Sequence, residues 1–340
     1  MTKALRVPRE RCEPVRQAMI RADVLDLDLV PEITGRYALL PLKKRWKSAS
    51  KYGDIVEGVK FKERPRVLPY NRIVEIADIP LRLKKQLPRK WKLISDIVVL
   101  RVPEKLWRYR HKVAQAYAAT LRARSVLHVD SIKGEFRRPE CALLYGDSAE
   151  TTHRENGVVF RLDASKVMFS KGNTYERMRI AGLVREGERV LDMFAGIGYF
   201  SLPIAVHAAP SKVYACEKSP VAFGYLEENV KLNKVERVVE PVLCDSREFH
   251  PGTKCDRVIM GYIPERGKWI DGRLAPWGFL DTAINNLSAL KEATIHLHVL
   301  EKRGVLPLRS ISGLVVKNRR DVTSYAPSIW HVVYDLGRIQ

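Results

Sequence analysis

Residues 189–205 read Arg-Val-Leu-Asp-Met-Phe-Ala-Gly-Ile-Gly-Tyr-Phe-Ser-Leu-Pro-Ile-Ala. The apolar run Arg189–Phe194 predicts a buried strand. Gly196 and Gly198, directly after it, predict a sharp turn that brings backbone close to a ligand. Met193 to Ser211 is the longest uncharged stretch, but Gly196, Gly198, Pro203, His207 and Pro210 interrupt it. It therefore reads as a strand end, a glycine loop and a short buried helix rather than a membrane span. A nicotinamide dinucleotide site is disfavoured, because Ser201 stands where that fingerprint has its third glycine.

Working outward, strands and helices alternate from residue 166 onward. Strands are predicted at Lys212–Glu217, Val238–Leu243, Asp256–Met260 and Thr294–Val299, with a closing pair at Leu314–Lys317 and His331–Leu336. Ser219-Pro220 predicts the cap and first turn of a helix reaching about Asn233. Repeated strand–helix units imply an α/β fold, with a mainly parallel sheet covered on both faces. Asp192, ending the first strand before the loop, suits a ligand with a cationic end and no phosphate. Glu217, ending the second strand, is placed to accept both hydroxyls of a ribose. Asp245, ending the third, is placed to reach an adenine amino group. The three together point to S-adenosylmethionine, against the plainer reading of surface carboxylates at strand ends.

The chain has 340 residues, 46% of them hydrophobic, which excludes a wholly disordered protein. Sixty Lys and Arg against 39 Asp and Glu give a net charge of +21. Residues 1–165 hold 35 basic and 20 acidic residues, so the first half carries most of the surplus. That points to a polyanionic partner, nucleic acid first. Basic and aromatic residues interleave at Lys43-Lys44-Arg45-Trp46-Lys47, Arg89-Lys90-Trp91-Lys92 and Trp107-Arg108-Tyr109-Arg110-His111-Lys112. There cations would neutralise phosphates and rings would stack on splayed bases. Three domains are expected, over 1–60, 61–165 (opening on a linker near 62–71) and 166–340. The middle one carries a strand at Asp96–Val102, a basic helix from Pro103 to about Arg124 and a strand at Val158–Leu162, preceded by the turn Asn156-Gly157.

Five cysteines without a CxxC pair argue against a disulfide framework, and no Cys/His cluster supports a metal. The start MTKALRVPRER lacks an apolar core, which predicts no secretory signal and a cytoplasmic protein.

Five segments carry a family resemblance: EFRRPECALLYGD (135–147), THRENGVVFRLDASKVMFSKGN (152–173), DMFAGIGYFSLPIA (192–205), MGYIP (260–264) and SYAPSIWHVVYDL (324–336). Together they resemble the tRNA guanine-37 N1-methyltransferases, and more closely the archaeal and eukaryotic wybutosine-synthesis enzymes that transfer a 3-amino-3-carboxypropyl group. Residues 1–60 are more loosely similar to the small tRNA-recognition domain of the methyltransferases. The resemblance implies a class I methyltransferase fold with a seven-stranded, Rossmann-like sheet. It implies S-adenosylmethionine as aminocarboxypropyl donor and no metal. The acceptor would be the tricyclic 4-demethylwyosine at position 37, in the anticodon loop of tRNA(Phe), with no DNA or membrane partner and a monomeric enzyme.

By motif match, ligand contacts would come from Ser170, Arg177, Glu217, Asp245 and Ser246, with Asp192, Gly196 and Gly198 in the cofactor loop. The methyltransferases carry Asn-Leu-Pro or Asn-Pro-Pro after the fourth strand. Here the segment is Gly261-Tyr262-Ile263-Pro264, as in the aminocarboxypropyl transferases, and Gly261, Tyr262 and Pro264 would border the acceptor base. Lys43, Lys44, Arg45, Arg108 and Arg110 would hold tRNA. The alternative is tRNA (guanine-37-N1)-methyl transfer, and a silent RNA-binding relative is disfavoured by the intact carboxylate set. No catalytic base is assigned: His331, inside a strand, reads as a packed residue, and so do His296 and His298.

Overall fold

The computed structural model describes residues 2–63, 68–135, 138–264 and 267–338. The chain forms two compact units, 1–75 and 76–340.

In the first unit, β1 (Lys3–Pro8), β2 (Glu32–Thr34), β3 (Tyr37–Leu42) and β4 (Asp54–Glu57) form an antiparallel sheet in the order β2-β3-β1-β4. Helix α1 (Cys12–Arg21) contributes Val15 and Met19 to a core with Leu5, Val7, Ala38 and Leu40. Residues 64–67 of the expected linker lie outside the described residues. Helix α2 (Pro69–Ile76) spans the boundary between the units.

The second unit opens with α3 (Leu81–Lys84) and a sheet in the order β5-β6-β7-β8: β5 (Trp91–Ile94), β6 (Ile97–Leu100), β7 (Ser125–Lys133) and β8 (Arg138–Tyr145). The predicted basic helix is a 3-10 turn over Glu104–Tyr109 followed by α4 (Arg110–Leu121), and it ends where Arg122 turns left-handed at φ 54°. A hairpin, β9 (Glu150–Glu155) and β10 (Val158–Asp163), follows. Its turn is Asn156-Gly157, both at positive φ, as the sequence signals.

Then come α5 (Thr174–Leu183), β11 (Arg189–Asp192), α6 (Ser201–His207), β12 (Lys212–Glu217), α7 (Pro220–Leu232), β13 (Val239–Leu243) and β14 (Arg257–Met260). Two-residue strands β15 (Trp269–Ile270) and β16 (Arg273–Leu274) precede α8 (Leu280–Asn286), β17 (Thr294–Lys302), β18 (Ser310–Ile311), β19 (Leu314–Ala326) and β20 (Ile329–Arg338). Seven of these strands make the body of one sheet, in the order β13-β12-β11-β14-β17-β20-β19, and β15, β16 and β18 extend it. The five strands from β13 to β17 run parallel, whereas β20 and β19 return antiparallel. Alternate residues feed two cores: Val190 and Ala215 face one, Leu191 and Cys216 the other. Burial on both faces explains the unbroken apolar runs.

The boundary expected at 165/166 is not where the packing changes. Val158, Phe160 and Leu162 of β10 are fully buried in the same core as Ile204 of α6 and Leu226 of α7. Asn229 of α7 and Asn233, which caps that helix's C-terminus, clasp the β10 backbone at Arg161 and Val159. That core also takes in Ile94, Ile97 and Leu127 of the β5–β8 sheet, so the expected second and third domains share one interior.

Candidate functional site

A cavity of about 480 Å³ opens at the carboxyl ends of β11, β12, β13 and β14, within the size range of small-molecule sites. Gly196 lies on its wall at φ +59°, and its N–H donates to Glu217 Oε2 at 2.8 Å. Ser219 N–H donates to Oε1 of the same carboxylate at 2.7 Å, while the Ser219 hydroxyl caps α7 by accepting from Ala222 N–H. A carboxylate has about four lone-pair sites, so Glu217 keeps capacity to accept from a ligand such as a ribose. Burial pushes its carboxyl up, against the backbone N–H groups of Ser219, Gly196 and Lys218, which favour the charged form.

Beside it, Asp245 accepts from Arg247 at 2.6 Å and lies 3.1 Å from Lys218 Nζ. The Arg247 hydrogen bond, foremost, holds its carboxyl well below the usual range. Ser246 also lines the cavity, and its Oγ is buried without a partner. An orphaned hydroxyl on a cavity wall is a vacancy for a ligand's hydrogen bond. The adjoining wall is aromatic: Tyr262 stacks on Phe194 at 5.1 Å, Phe279 meets Phe194 edge-on at 4.9 Å, and Arg247 lies over the Phe279 ring at 4.7 Å. Two carboxylates, an orphaned hydroxyl, a glycine cradle and flat rings fit the adenosine half of S-adenosylmethionine.

Ser170 and Arg177 also line the cavity. Arg177 is buried, not a helix-surface charge. Its guanidinium sits 4.8 Å from the Phe169 ring and 5.0 Å from Tyr199, donating to Glu155 at 2.7 Å and to the Ser170 carbonyl at 2.6 Å. Glu155 therefore compensates much of the charge that Arg177 offers a ligand carboxylate, and the sequence spacing gave no sign of this.

Three expected site residues lie off the wall. Asp192 is fully buried: Oδ2 accepts from Ser201 Oγ at 2.7 Å and Oδ1 from Phe194 N–H at 3.3 Å. Burial pushes its carboxyl up to about 6. It braces the loop from beneath, held there by the Ser201 hydroxyl at the start of α6. Gly198, at φ +99°, is also buried, and a Cβ there would meet Leu202 at 2.6 Å, so this glycine permits the close approach of α6. Pro264 lies one residue beyond Gly261, Tyr262 and Ile263, which do line the cavity.

His331 is a buried strand residue bonded to His298, as it reads in the sequence, and it also touches the cavity wall. The only hint in the sequence was its place inside the SYAPSIWHVVYDL motif.

Among the basic clusters, Lys43, Lys44, Arg45 and Arg108 are exposed and Arg110 is half-buried. Lys43 and Lys44 both pair with Asp23. The tryptophan of each cluster has an aromatic partner, and Trp107 stays exposed beside it. Trp46 stacks on Tyr52 at 4.7 Å, Trp91 meets Tyr117 edge-on at 5.7 Å, and Trp107 packs against His128 at 4.9 Å and under Arg110 at 5.1 Å. Among the described residues no helix is long and apolar enough to cross a membrane, and no group of three or more His, Cys, Asp or Glu is placed to hold a metal ion.

The TRM5/TYW2 methyltransferase domain matches residues 151–321, the TYW2 N-terminal domain residues 70–149 and the tRNA methyltransferase 5 N-terminal domain residues 4–50. The chain belongs to the TRM5/TYW2 family. It is 37% identical over 281 residues to the tRNA(Phe) (4-demethylwyosine(37)-C(7)) aminocarboxypropyltransferase of Pyrococcus horikoshii, covering 79% of this chain and 96% of that protein. The crystal structure of P. horikoshii TYW2 in complex with MeSAdo is similar with a TM-score of 0.65, at 36% identity, over 79% of this chain and 98% of that one. Trm5b from Pyrococcus abyssi is similar over 99% of both chains, with a TM-score of 0.64 and 32% identity. Most of the cavity's lining residues fall in the matched methyltransferase domain, with Lys92, Ile132 and Glu135 contributed by the segment that matches the TYW2 N-terminal domain.

Proposed function

We propose that the protein transfers the 3-amino-3-carboxypropyl group of S-adenosylmethionine to C7 of 4-demethylwyosine at position 37 of tRNA(Phe). The ring carbon attacks the γ-carbon of the methionyl arm, the C–S bond breaks toward sulfur, and methylthioadenosine leaves. An in-line displacement goes to whichever carbon of the sulfonium faces the nucleophile, so the protein selects by orienting the donor. Glu217 takes the ribose hydroxyls, and Asp245 with Ser246 the adenine edge. Gly196 admits the donor to the wall, and Gly198 shapes the loop. Ser170 and the free edge of Arg177 take the methionyl arm. Gly261 and Tyr262 border the acceptor base.

Guanine-37 N1-methyl transfer has one observation in its favour: the first unit matches the methyltransferase's N-terminal domain. Against it stands Gly261. A Cβ at this position would meet the Phe200 ring at 2.7 Å, so this wall has no room for the asparagine of the methyltransferase motif unless Phe200 moves. That observation carries the choice.

The substrate is a tRNA. Its anticodon loop is the contacted part, held through phosphates by Lys43, Lys44, Arg45, Arg108 and Arg110, and the enzyme acts as a monomer in the cytoplasm. The N-terminal unit, the β5–β8 module and the cofactor domain divide the work between tRNA recognition and transfer.

The test is the by-product. Purified protein is incubated with S-adenosylmethionine and tRNA carrying the tricyclic precursor, and the adenosyl products are separated by chromatography. Methylthioadenosine, formed only with tRNA present, is expected. S-adenosylhomocysteine would establish methyl transfer instead.

A further inference from the structure

Alkylating a ring carbon that carries hydrogen leaves a proton to be removed. Four cavity-lining groups can accept one: Glu135, Glu217, Asp245 and His331. Glu135 is bonded to Lys218 at 2.8 Å, Glu217 holds two backbone N–H groups, and Asp245 is clamped by Arg247 and Lys218. His331 differs. Its Nε2 lies 3.0 Å from His298 Nδ1, and its Nδ1 has no hydrogen-bond partner among the described residues.

The strand order places these histidines apart from the carboxylates. Glu217 ends β12 and Asp245 follows β13, to one side of β11. β14 ends at Met260, opposite Leu297 of β17. His298 is one residue past that point, and His331 pairs with Leu300 on β17 and Thr323 on β19. Both imidazoles therefore sit beyond the carboxyl end of β14, next to Gly261 and on the far side of the cavity from the adenosine groups.

We propose that His331 is the catalytic base that removes the ring-carbon proton through Nδ1, and that His298 positions it. This rests on the transferase reading above. The C–C bond forms as the C–S bond breaks, leaving the base ring cationic. The C–H electron pair then returns to the ring, and the proton passes to His331 Nδ1 and on to water. A cationic ring holds that proton weakly, so a weak base suffices. Burial pushes His331 down to about 4 and His298 well below its ordinary value, which keeps both neutral and able to accept.

Proton transfer to Nδ1 requires the tautomer in which His331 Nε2–H donates to His298 Nδ1, which leaves the lone pair on His331 Nδ1 free. In that tautomer His298 Nε2 is a buried N–H with no partner, a cost the opposite tautomer avoids. Protonation of His331 turns the same contact into a charge-assisted hydrogen bond, which is stronger.

The test uses His331→Asn and His331→Gln in the full chain, with S-adenosylmethionine affinity measured by calorimetry. Single turnovers then use precursor tRNA with hydrogen or deuterium at C7. In the unaltered protein, methylthioadenosine and modified tRNA should appear together. In both variants affinity should hold within about threefold, while modified tRNA forms about 100-fold slower. That slower step should show a primary deuterium isotope effect and be partly restored by added imidazole. Rates within about threefold of the unaltered protein would overturn the proposal. So would slowing with neither isotope effect nor imidazole rescue. Lost donor affinity in both variants would make His331 a packing residue, overturning it equally. S-adenosylhomocysteine from the unaltered protein would overturn both this and the transferase reading.

Discussion

On the β12–β13 side of the cavity, carboxylates are held by backbone N–H groups and exposed cations; on the β17–β20 side, acidic groups are sealed into a chain of buried charges. The chain runs Glu188 to Arg257 (2.9 Å), Arg257 to His296 Nε2 (2.7 Å), His296 Nδ1 to Asp335 (2.6 Å), Asp335 to Arg179 (2.7 Å) and Arg179 to Glu176 (2.7 Å). Arginine only donates, so His296 must accept at Nε2 and donate at Nδ1. Asp335 is buried, which alone would raise its carboxyl. The hydrogen bonds from His296 and Arg179 outweigh burial and hold it far below the usual range. Every member of that chain is hydrogen-bonded on both sides or at its end, whereas Glu217 and Ser246 keep hydrogen-bonding capacity unused. The first side is built to bind, and the buried charge chain of the second holds the returning strands in place.

The largest effect should separate the two at once. Asp335→Ala strands Arg179 and His296 in the interior, and removing one partner of a buried pair costs about 3–5 kcal/mol. A urea titration should show that loss, while donor affinity of the folded protein stays within about threefold.

Next is pH. His331 has its folded-state value near 4, below the ordinary 6.5, so its contribution is complete above 6.5 and is lost as pH falls toward 4. The unaltered protein should lose about 3 kcal/mol more than His331→Gln between pH 7 and 4. Asp192, raised to about 6, acts in the opposite direction over that range but is common to both proteins and cancels. Equal losses would show that burial of His331 carries no stability.

On the binding side, Glu217→Gln should cost about 2 kcal/mol of donor affinity, roughly 30-fold by calorimetry, and about 1 kcal/mol or less of stability without ligand. The smallest effect is expected of Ser246→Ala: about 1 kcal/mol of affinity, with no loss of stability, because its Oγ has no protein partner. A stability loss larger than the affinity loss in either variant would erase the contrast between the two sides.

The two sides also differ in how much can be read from the chain. Strand β12 ends at Glu217 and α7 is capped by Ser219, both as the sequence signals. The returning strands were legible only as short pieces, yet β19 runs 13 residues and β20 ten. Irregularities between Val316 and Asn318, Asp321 and Thr323, and Ser324 and Ala326 break the two-residue alternation that marks a strand. Strands β7 and β8 were hidden in the same way, with register shifts at Val126/Leu127 and Val129/Ser131.

The sequence by itself determined the α/β alternation, the glycine loop and the strand-end carboxylates. Each depends on residues adjacent in the chain, where backbone preference and alternation act directly. Only the tertiary structure decided that Asp192 turns beneath the loop, that Arg177 is sealed between Phe169 and Tyr199 against Glu155, and that His331 meets His298 on the cavity wall. Burial and charge compensation come from partners as much as 33 residues apart in the chain for the histidine pair, brought together by strand pairing and packing.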